Sequence, residues 1–274
     1  MRALVTGGGG FLGGAIACEL RAQGHAVVSL QRSAVPALAA LGIEIVRGDI
    51  ADVDSVSRAA RGCDTVFHVA AKAGSWGSYQ SYFDANVLGT RNVLAACRAH
   101  GIGRLVHTST PSVVHRGGDL EGVDESTPYA THFLAHYPAT KLQAEREVLA
   151  ANSPTLATVA LRPHLIWGPG DAHLLPRILE RARRGRLRFI GAPGKRIDAT
   201  YIDNAASAHL LAAATLAPGS AHAGKAYFIS NGEPLAVEEM INRLLACADL
   251  PSVRKRVPLP VAYAIGGVLE AVYG

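Results

Sequence analysis

The sequence contains few cysteines and few aromatic residues, and each shortage excludes a class of protein. Four cysteines are scattered over 274 residues without a Cys-x-x-Cys pair. This spacing argues against a disulfide framework or a structural zinc site, and it suits a reducing compartment. Aromatic residues make up 6% of the chain, and no nucleic-acid-binding module is recognisable. We therefore expect no nucleic acid among the partners.

Long apolar runs are also missing, although 49% of the residues are hydrophobic. No uncharged stretch reaches the roughly 20 residues of a transmembrane helix. An apolar strand begins at residue 2 and leaves no room for a targeting peptide, so we expect a cytoplasmic protein. The apolar tail, residues 257–274, carries Pro258, Pro260 and Glu270. We interpret it as a docked helix or a pocket lining, with membrane contact as the lesser alternative.

The net charge of +5 is modest for this length. One basic stretch stands out, with Arg177, Arg181, Arg183, Arg184, Arg186 and Arg188. A solvated helix face explains it most simply. Attraction of an acidic substrate or an acidic partner protein is the alternative.

The first thirteen residues predict a nucleotide site. A short apolar strand, residues 2–6, is followed by four consecutive glycines and by a helical pattern from Phe11. The N-terminus of such a helix offers unpaired N–H groups and a partial positive charge to a pyrophosphate. Gly7 permits a tight turn, Gly10 a close approach of the phosphates, and Gly13 close contact between helix and strand.

The end of the second strand, residues 25–31, indicates which nucleotide binds. In the dinucleotide fold an acidic residue at this place bonds the ribose 2′-hydroxyl of NAD, whereas a basic residue accommodates the 2′-phosphate of NADP. This chain has Gln31 and then Arg32. We therefore predict NADPH/NADP+ as the cofactor, with NAD(H) the less favoured alternative.

Apolar strands and amphipathic helices alternate through the first 150 residues. Further strands are predicted at 43–48, 64–70 and 105–109, and helices at 52–62 and 79–100. Strands buried on both faces predict an α/β fold, a doubly wound parallel sheet of Rossmann type. We expect a nucleotide-binding domain over residues 1–165 and a smaller C-terminal substrate lobe over 166–274. Residues 196–230 are expected to return to the Rossmann core.

The irregular stretch 111–136 follows the fifth strand, where open α/β sheets bind ligands, and so it reads as a functional loop. His107, His115, His132 and His136 match no standard ligand spacing, and we predict no metal. A helix then begins near Tyr137. Lys141 lies one turn further on the same face, where an ammonium can lower the pKa of a phenol.

Together these motifs resemble the extended short-chain dehydrogenase/reductases. The resemblance covers Thr6-Gly7-x-x-Gly10-Phe11-Leu12-Gly13, Asp49, Thr108-Ser109-Thr110, Tyr137-x-x-x-Lys141, Leu161-Arg-Pro-x-x-x-Trp-Gly-Pro-Gly-Asp171 and Tyr201-Ile-Asp203-Asn204-Ala205. Within that superfamily the chain is similar to the 3β-hydroxysteroid dehydrogenase-like branch, and residues 70–78, 108–115 and 227–234 resemble one member of that branch more closely still. That branch usually continues for some tens of residues beyond Gly274, so we expect the substrate lobe to be incomplete here.

The resemblance implies a role for each site residue. Tyr137 would protonate the substrate carbonyl as general acid, and Thr110, rather than its neighbour Ser109, would hydrogen-bond the same oxygen. Lys141 would depress the pKa of Tyr137 and bond the nicotinamide ribose. Cofactor contacts are implied for Gly7, Gly10, Phe11, Leu12, Gly13, Arg32, Asp49, Ile50, Ala70, Ala71, Lys72, Tyr137, Lys141 and Pro163.

The implied substrate is an apolar acid. The leading hypothesis is reduction of the 3-oxo group of a 2-alkylated acid in long-chain olefin biosynthesis, with the carboxylate met by Arg116 or by an arginine of the 177–188 stretch. The alternatives are a 3β-hydroxysteroid or 4-carboxysterol dehydrogenase, a nucleotide-sugar epimerase, and a non-catalytic NADP(H) sensor. The resemblance also implies a homodimer through the helices near 79–100 and 137–151, and cooperation with other enzymes of one pathway.

Overall fold

A computed structural model of the chain describes residues 1–74, 76–172 and 174–273, with side chains described through residue 269. Ser75, part of the stretch 70–78, lies outside the described residues. The chain forms two compact units. The first comprises Met1–Ile166 and Thr200–Ser230, and the second comprises Trp167–Ala199 and Asn231–Gly274.

The described strands, in chain order, are β1 (Arg2–Thr6), β2 (Ala26–Gln31), β3 (Glu44–Arg47), β4 (Thr65–His68), β5 (Arg104–Thr108), β6 (Ala157–Pro163), β7 (Ile166–Trp167), β8 (Phe189–Ile190), β9 (Arg196–Ile197), β10 (Thr200–Tyr201), β11 (Lys225–Ile229), β12 (Leu235–Ala236) and β13 (Arg256–Val257). The described helices are α1 (Phe11–Ala22), α2 (Pro36–Ala40), α3 (Val53–Ala60), α4 (Tyr79–Phe83), α5 (Gly89–Ala99), α6 (His136–Ala150), α7 (Leu174–Arg183), α8 (Ile202–Thr215), α9 (Val237–Cys247) and α10 (Leu259–Tyr273). A π-helical turn, Asp84–Leu88, joins α4 to α5, and a 3₁₀ turn, Pro111–Val113, follows β5.

The first unit is built on a seven-stranded sheet in the order β3-β2-β1-β4-β5-β6-β11. All its strand pairs are parallel. The order reverses between β1 and β4, and in open α/β sheets ligands bind in the crevice outside the carboxyl ends of the strands at such a point. The expected Rossmann-type sheet is thus confirmed, and its reversal lies where the glycine turn follows β1.

The strands are apolar throughout because helices cover both faces of the sheet. Successive side chains point to opposite faces. Val5, Phe67 and Val106 are fully buried in the cluster shared with α1 and α8, whereas Leu4 and Leu105 are fully buried in the cluster shared with α3, α5 and α6. The face that carries Leu105 also carries the site residues of β5 described below.

The predicted helix over residues 79–100 forms with one difference. The structure interrupts it with the π-helical turn, where backbone bonds span five residues instead of four. The amide of Asn86 lies in this turn and bonds the backbone of Lys72 at both N–H and C=O, over 2.7 and 3.1 Å. The wider turn accompanies a contact between residues 14 positions apart, which local periodicity does not encode.

The second unit pairs β12 with β9 in antiparallel fashion and β13 with β8 in parallel fashion. Ile178, Phe189, Met240 and Leu245 are its buried apolar side chains among the described residues. The tail forms helix α10, but the expectation of a docked helix is not met. Six of its large apolar side chains are exposed: Leu259, Val261, Tyr263, Ile265, Val268 and Leu269.

No helix in the part of the chain described here has both the length and the apolar character needed to cross a membrane.

Candidate active site

The glycine turn after β1 is too tight for side chains. Gly7 has φ +73°, in the left-handed region that favours glycine, and a Cβ there would lie 3.0 Å from Ala70 Cα. A Cβ on Gly13 would lie 2.2 Å from the Gly7 carbonyl oxygen, and one on Gly8 would meet the Ser29 hydroxyl at the same distance. Helix α1 begins immediately after Gly10, and no side chain caps it. Its first N–H groups are therefore available for a phosphate.

The end of β2 presents an amide and a guanidinium. Gln31 is buried, accepts a hydrogen bond from the Ser29 hydroxyl, and donates to the Ser33 carbonyl. Its amide is therefore occupied within the protein. Arg32 is exposed and makes no ion pair within the described ranges. The guanidinium is free to meet an anion.

The remaining predicted cofactor residues lie along the same edge of the sheet. Asp49 is exposed and accepts from the Ala51 N–H, whereas Ile50 is buried against Gly89. Ala71 is exposed in the segment that follows β4. Lys72 donates from Nζ to Ser81 Oγ over 2.6 Å. The structure thus gives Ile50 a packing role that its sequence position alone does not reveal.

A directed chain of hydrogen bonds runs beneath this edge. Thr6 Oγ1 accepts from the N–H groups of Val69 and Ala70, both over 3.1 Å, so both of its lone pairs are used and its own proton goes to His68 Nδ1 over 2.9 Å. His68 must then donate from Nε2 to Thr90 Oγ1, over 2.9 Å. Thr90 donates in turn to the Asn86 carbonyl.

His68 is fully buried in this chain, and it is neutral. Burial, together with the nearby Lys141 ammonium, lowers the pKa of His68 to about 3. A protonated ring would carry two donors, yet its Nδ1 already accepts the Thr6 proton. The hydrogen-bond directions and the lowered pKa therefore agree, and the neutral ring holds Ala70 beside Gly7.

Tyr137 lies at the start of α6, half-buried, and its side chain interacts with that of Thr110. Burial raises the pKa of Tyr137 above its ordinary value, and the contact with Thr110 lowers it in part. This direction corrects the sequence-based expectation that Lys141 depresses the pKa. The reason is geometric, because the ammonium is directed to the end of β5 instead.

Lys141 is 2% exposed, and its Nζ donates to the Thr108 carbonyl oxygen over 2.7 Å. The same atom lies 3.2 Å from His107 Nε2. Burial lowers the pKa of Lys141 to about 8, and the Glu145 carboxylate on the same helix raises it in part. Tyr137, Thr110 and Lys141 thus converge where β5 ends and α6 begins.

The position of α6 is fixed by two polar contacts that the sequence did not reveal. Asn86 donates to Thr140 Oγ1 over 3.0 Å, which ties the π-helical turn to the residue before Lys141. Arg162 on β6 and Glu145 form a two-pronged ion pair, at 3.0 and 2.6 Å, with both side chains almost fully buried. Neither partnership follows from local spacing, since both depend on strand register and helix docking.

The same ion pair anchors the long loop before α6. The Tyr129 hydroxyl donates to Glu145 over 2.7 Å, and the Arg162 guanidinium lies between the rings of Tyr129 and Phe228. Arg116, one predicted carboxylate contact, donates to the carbonyls of Pro128 and Tyr129 and so binds this loop instead. That engagement is a structural use for Arg116 that the sequence pattern did not predict.

Pro163, the last predicted cofactor residue, is buried at the end of β6. Two positions later Leu165 has φ +39°, which strains a non-glycine residue. Strained backbone concentrates at functional sites. The strain marks the segment after β6 as part of the site edge.

The geometry fits a nicotinamide dinucleotide. The glycine turn leaves room that any Cβ would fill, and the uncapped start of α1 lies at the reversal of the sheet. From that turn the edge continues through Ala70 and Lys72 to Thr110 and Tyr137. A dinucleotide with its pyrophosphate at the glycine turn would place its nicotinamide near Thr110 and Tyr137, where a substrate carbonyl can react.

Comparison with known proteins supports this interpretation. Residues 4–261 match the 3-beta hydroxysteroid dehydrogenase/isomerase family. The 2-alkyl-3-oxoalkanoate reductase of Stenotrophomonas maltophilia is 57% identical over 275 residues, which cover 100% of this chain and 83% of the relative. The enzyme of the same name from Shewanella oneidensis is 52% identical and covers 99% of this chain and 72% of the relative.

A solved structure, the UDP-glucose 4-epimerase of Thermus thermophilus in complex with NAD, superposes with a TM-score of 0.78. Its sequence is 29% identical, and the alignment covers 94% of this chain and 86% of the epimerase. The fold and a nicotinamide nucleotide cofactor are therefore shared with proteins of known activity. The chain belongs to the 3-beta hydroxysteroid dehydrogenase/isomerase family, and it is an NAD(P)-dependent oxidoreductase.

Proposed function

We propose that the chain is an NADPH-dependent reductase of 2-alkyl-3-oxoalkanoates, which converts the 3-oxo group to a hydroxyl group. The observation that carries the proposal is the pairing of Tyr137 with Thr110 at the carboxyl end of β5. Relatives of this name, 57% and 52% identical, support the substrate class. The proposal includes a place in long-chain olefin biosynthesis beside other enzymes of that pathway.

In this proposal Tyr137 is the general acid. Its raised pKa keeps the phenol protonated at neutral pH, which is the form that can donate a proton to a carbonyl oxygen. Thr110 holds the same oxygen through its hydroxyl group. Lys141 lies one helical turn away with its ammonium held at the end of β5, where it would bond the nicotinamide ribose. The bound nucleotide supplies the hydride.

The residues that would hold the nucleotide are the turn glycines, Arg32 and the segment from Ala70 to Lys72. The exposed, unpaired guanidinium of Arg32 favours the 2′-phosphate of NADPH, since Gln31 is already satisfied within the protein. We also infer a homodimer through α5 and α6. Arg91 and Glu147 join these helices at 2.7 Å and line a groove between them.

The test is the loss of NADPH absorbance with a 2-alkyl-3-oxo acid, compared with a 3-oxosteroid and a UDP-sugar. We expect turnover with the acid. Tyr137→Phe should lower kcat about a thousandfold, because the general acid is removed, while NADPH binding persists. Tyr79→Phe is the matched control, since this exposed phenol makes no hydrogen bond within the described ranges.

Two results would contradict the proposal. Retention of the native kcat by Tyr137→Phe would show that Tyr137 is not the general acid. Faster turnover of the steroid or the UDP-sugar than of the acid would assign the enzyme to one of the alternative substrates. The UDP-sugar is included because the superposed epimerase shares the fold.

A further inference from the structure

Among the described residues, the two acceptors that face the Lys141 ammonium belong to the end of β5. Nζ donates to the Thr108 carbonyl oxygen over 2.7 Å and lies 3.2 Å from His107 Nε2. We infer that His107 is a positioning residue of the reductase, whose imidazole accepts a hydrogen bond from Lys141 and fixes the direction of the ammonium. The inference rests on the proposed function, in which Lys141 bonds the nicotinamide ribose beside Tyr137.

Donor and acceptor counting defines the two roles. An ammonium has three N–H donors and no lone pair, so the imidazole must accept at Nε2 and carry its own proton on Nδ1. That Nδ1 is buried and, within the residues described, has no hydrogen-bond partner. A buried polar atom without a partner costs stability that an apolar side chain of similar size would not. The hydrogen bond with Lys141 is the polar interaction that offsets the cost of the unpaired Nδ1 of His107.

Titratable groups face the pair from every element packed against it. They are Glu145 on α6, His68 on β4, Arg162 on β6, which is paired with Glu145, and, across the sheet, His209 on α8. Tyr137 lies one helical turn from Lys141 on α6. The rings of His68 and His107 lie 5.1 Å apart between centroids. Burial lowers the pKa of His107 well below 6.5, and Lys141, His68 and His209 lower it further. The imidazole therefore stays neutral while Lys141 is charged.

These contacts fix the orientation of the Lys141 ammonium. Two N–H bonds of the ammonium are committed to β5, and the third has no acceptor among the described side chains and backbone. The tetrahedral geometry of the ammonium sets the direction of this third bond once the other two are fixed. His107 therefore determines which way the bond that can serve a bound nucleotide points.

The test removes the acceptor with His107→Leu. An ammonium that loses an acceptor gives up its proton more readily, so the alkaline limb of kcat should move to lower pH by about one unit, and kcat on that limb should fall about tenfold. KM for the keto acid should stay within about twofold, because no substrate contact changes. His107→Gln, whose side-chain carbonyl reaches the Nε2 position, should restore the native limb.

His209→Leu is the matched control. This buried histidine bonds the Thr108 hydroxyl from the opposite face of the sheet and does not touch Lys141. The alkaline limb of kcat in His209→Leu should stay at the native pH even if the variant is less stable. An unshifted alkaline limb in His107→Leu, or an equal shift in His209→Leu, would overturn the inference. If His107→Leu does not fold, His107→Asn serves in its place, because its amide is too short to reach the Nε2 position.

Nucleotide binding separates this inference from the proposed function. NADPH fluorescence, titrated between about pH 6 and pH 10, needs no substrate, and Lys141 contacts the ribose in the proposal. A native chain that binds NADPH but reduces no 3-oxo acid would reject the proposed function alone. The midpoint of the binding titration should then still move in His107→Leu and not in His107→Gln. Equal midpoints in the two variants would reject the role of His107.

Discussion

At the scale of single residues, Gly13 of the first turn is required by a close contact rather than by its backbone conformation. Gly13 is helical, so its backbone needs no special conformation. A Cβ on Gly13 would nevertheless lie 2.2 Å from the Gly7 carbonyl oxygen. Because the obstacle is backbone, it cannot rotate away as a side chain could.

We predict that Gly13→Ala weakens NADPH binding by at least about tenfold and destabilises the fold by about 1–3 kcal/mol, since the added methyl group separates α1 from β1. Gly103→Ala is the control, because a Cβ there meets nothing within 4 Å. Isothermal titration and urea unfolding measure the two effects. Equal behaviour of the two variants would show that the turn tolerates the methyl group.

Arg32 carries the preference for the phosphorylated cofactor in our proposal. Arg32→Ala should raise KM for NADPH about tenfold or more and leave KM for NADH unchanged, because only NADPH loses a charge-assisted bond. Arg98→Ala, which removes an equally exposed charge from the last turn of α5, should affect neither cofactor. A parallel loss with both cofactors would assign Arg32 a role unrelated to the 2′-phosphate.

At the scale of elements, α6 carries the chemistry and its own anchor. Tyr137, Lys141 and Glu145 follow one another at four-residue intervals and so share a face. Glu145 is fully buried against Arg162, whereas Glu147, two residues later, meets Arg91 at the surface. The same helix thus offers a buried and an exposed carboxylate–guanidinium pair for direct comparison.

Glu145→Ala should lower the free energy of unfolding by about 3–5 kcal/mol, because it leaves the Arg162 charge buried without its partner. Glu147→Ala should cost at most about 1 kcal/mol, since water and salt screen the exposed pair. Urea denaturation of both variants measures the difference. Similar losses would mean that burial does not govern the strength of these pairs.

The sequence predicted the features that depend on local patterns and missed those that depend on long-range contacts. Strand–helix alternation, the glycine turn and the Tyr137–Lys141 spacing are local patterns, and each appears in the structure where it was expected. The π-helical turn, the His68 contacts and the Glu145–Arg162 pair were not predicted. Thr6 and His68 are 62 residues apart, and only the register of β1 beside β4 brings them together.

At the scale of the whole molecule, three buried histidines make stability depend on acidity. His68 and His209 have their pKa lowered to about 3 and about 4, and the pKa of His107 lies well below 6.5; burial is the largest cause in each. In the unfolded chain these rings titrate near 6.5. Between the two values the unfolded state binds more protons, so stability is lost as the pH falls below about 6.5.

The free energy of unfolding should therefore fall by about 2 kcal/mol per buried histidine between pH 7 and pH 5. His209→Gln should remove about one third of this dependence, even if it lowers stability at pH 7. His132→Gln, which changes an exposed histidine, should leave the dependence intact. Denaturant titrations at both pH values provide the measurement, and an unchanged slope in His209→Gln would refute the assignment.

The hydrogen-bond chain through Thr6, His68 and Thr90 has one further consequence. Each hydroxyl proton in it has a single possible orientation, so the chain cannot be reversed by exchanging donors and acceptors along its length. The backbone beside the glycine turn is therefore held by a polarised unit that exists in one arrangement or is broken. Nitrogen NMR of the imidazole should find the proton on Nε2 alone, and the edge of the sheet that faces the nucleotide should be formed before any nucleotide arrives.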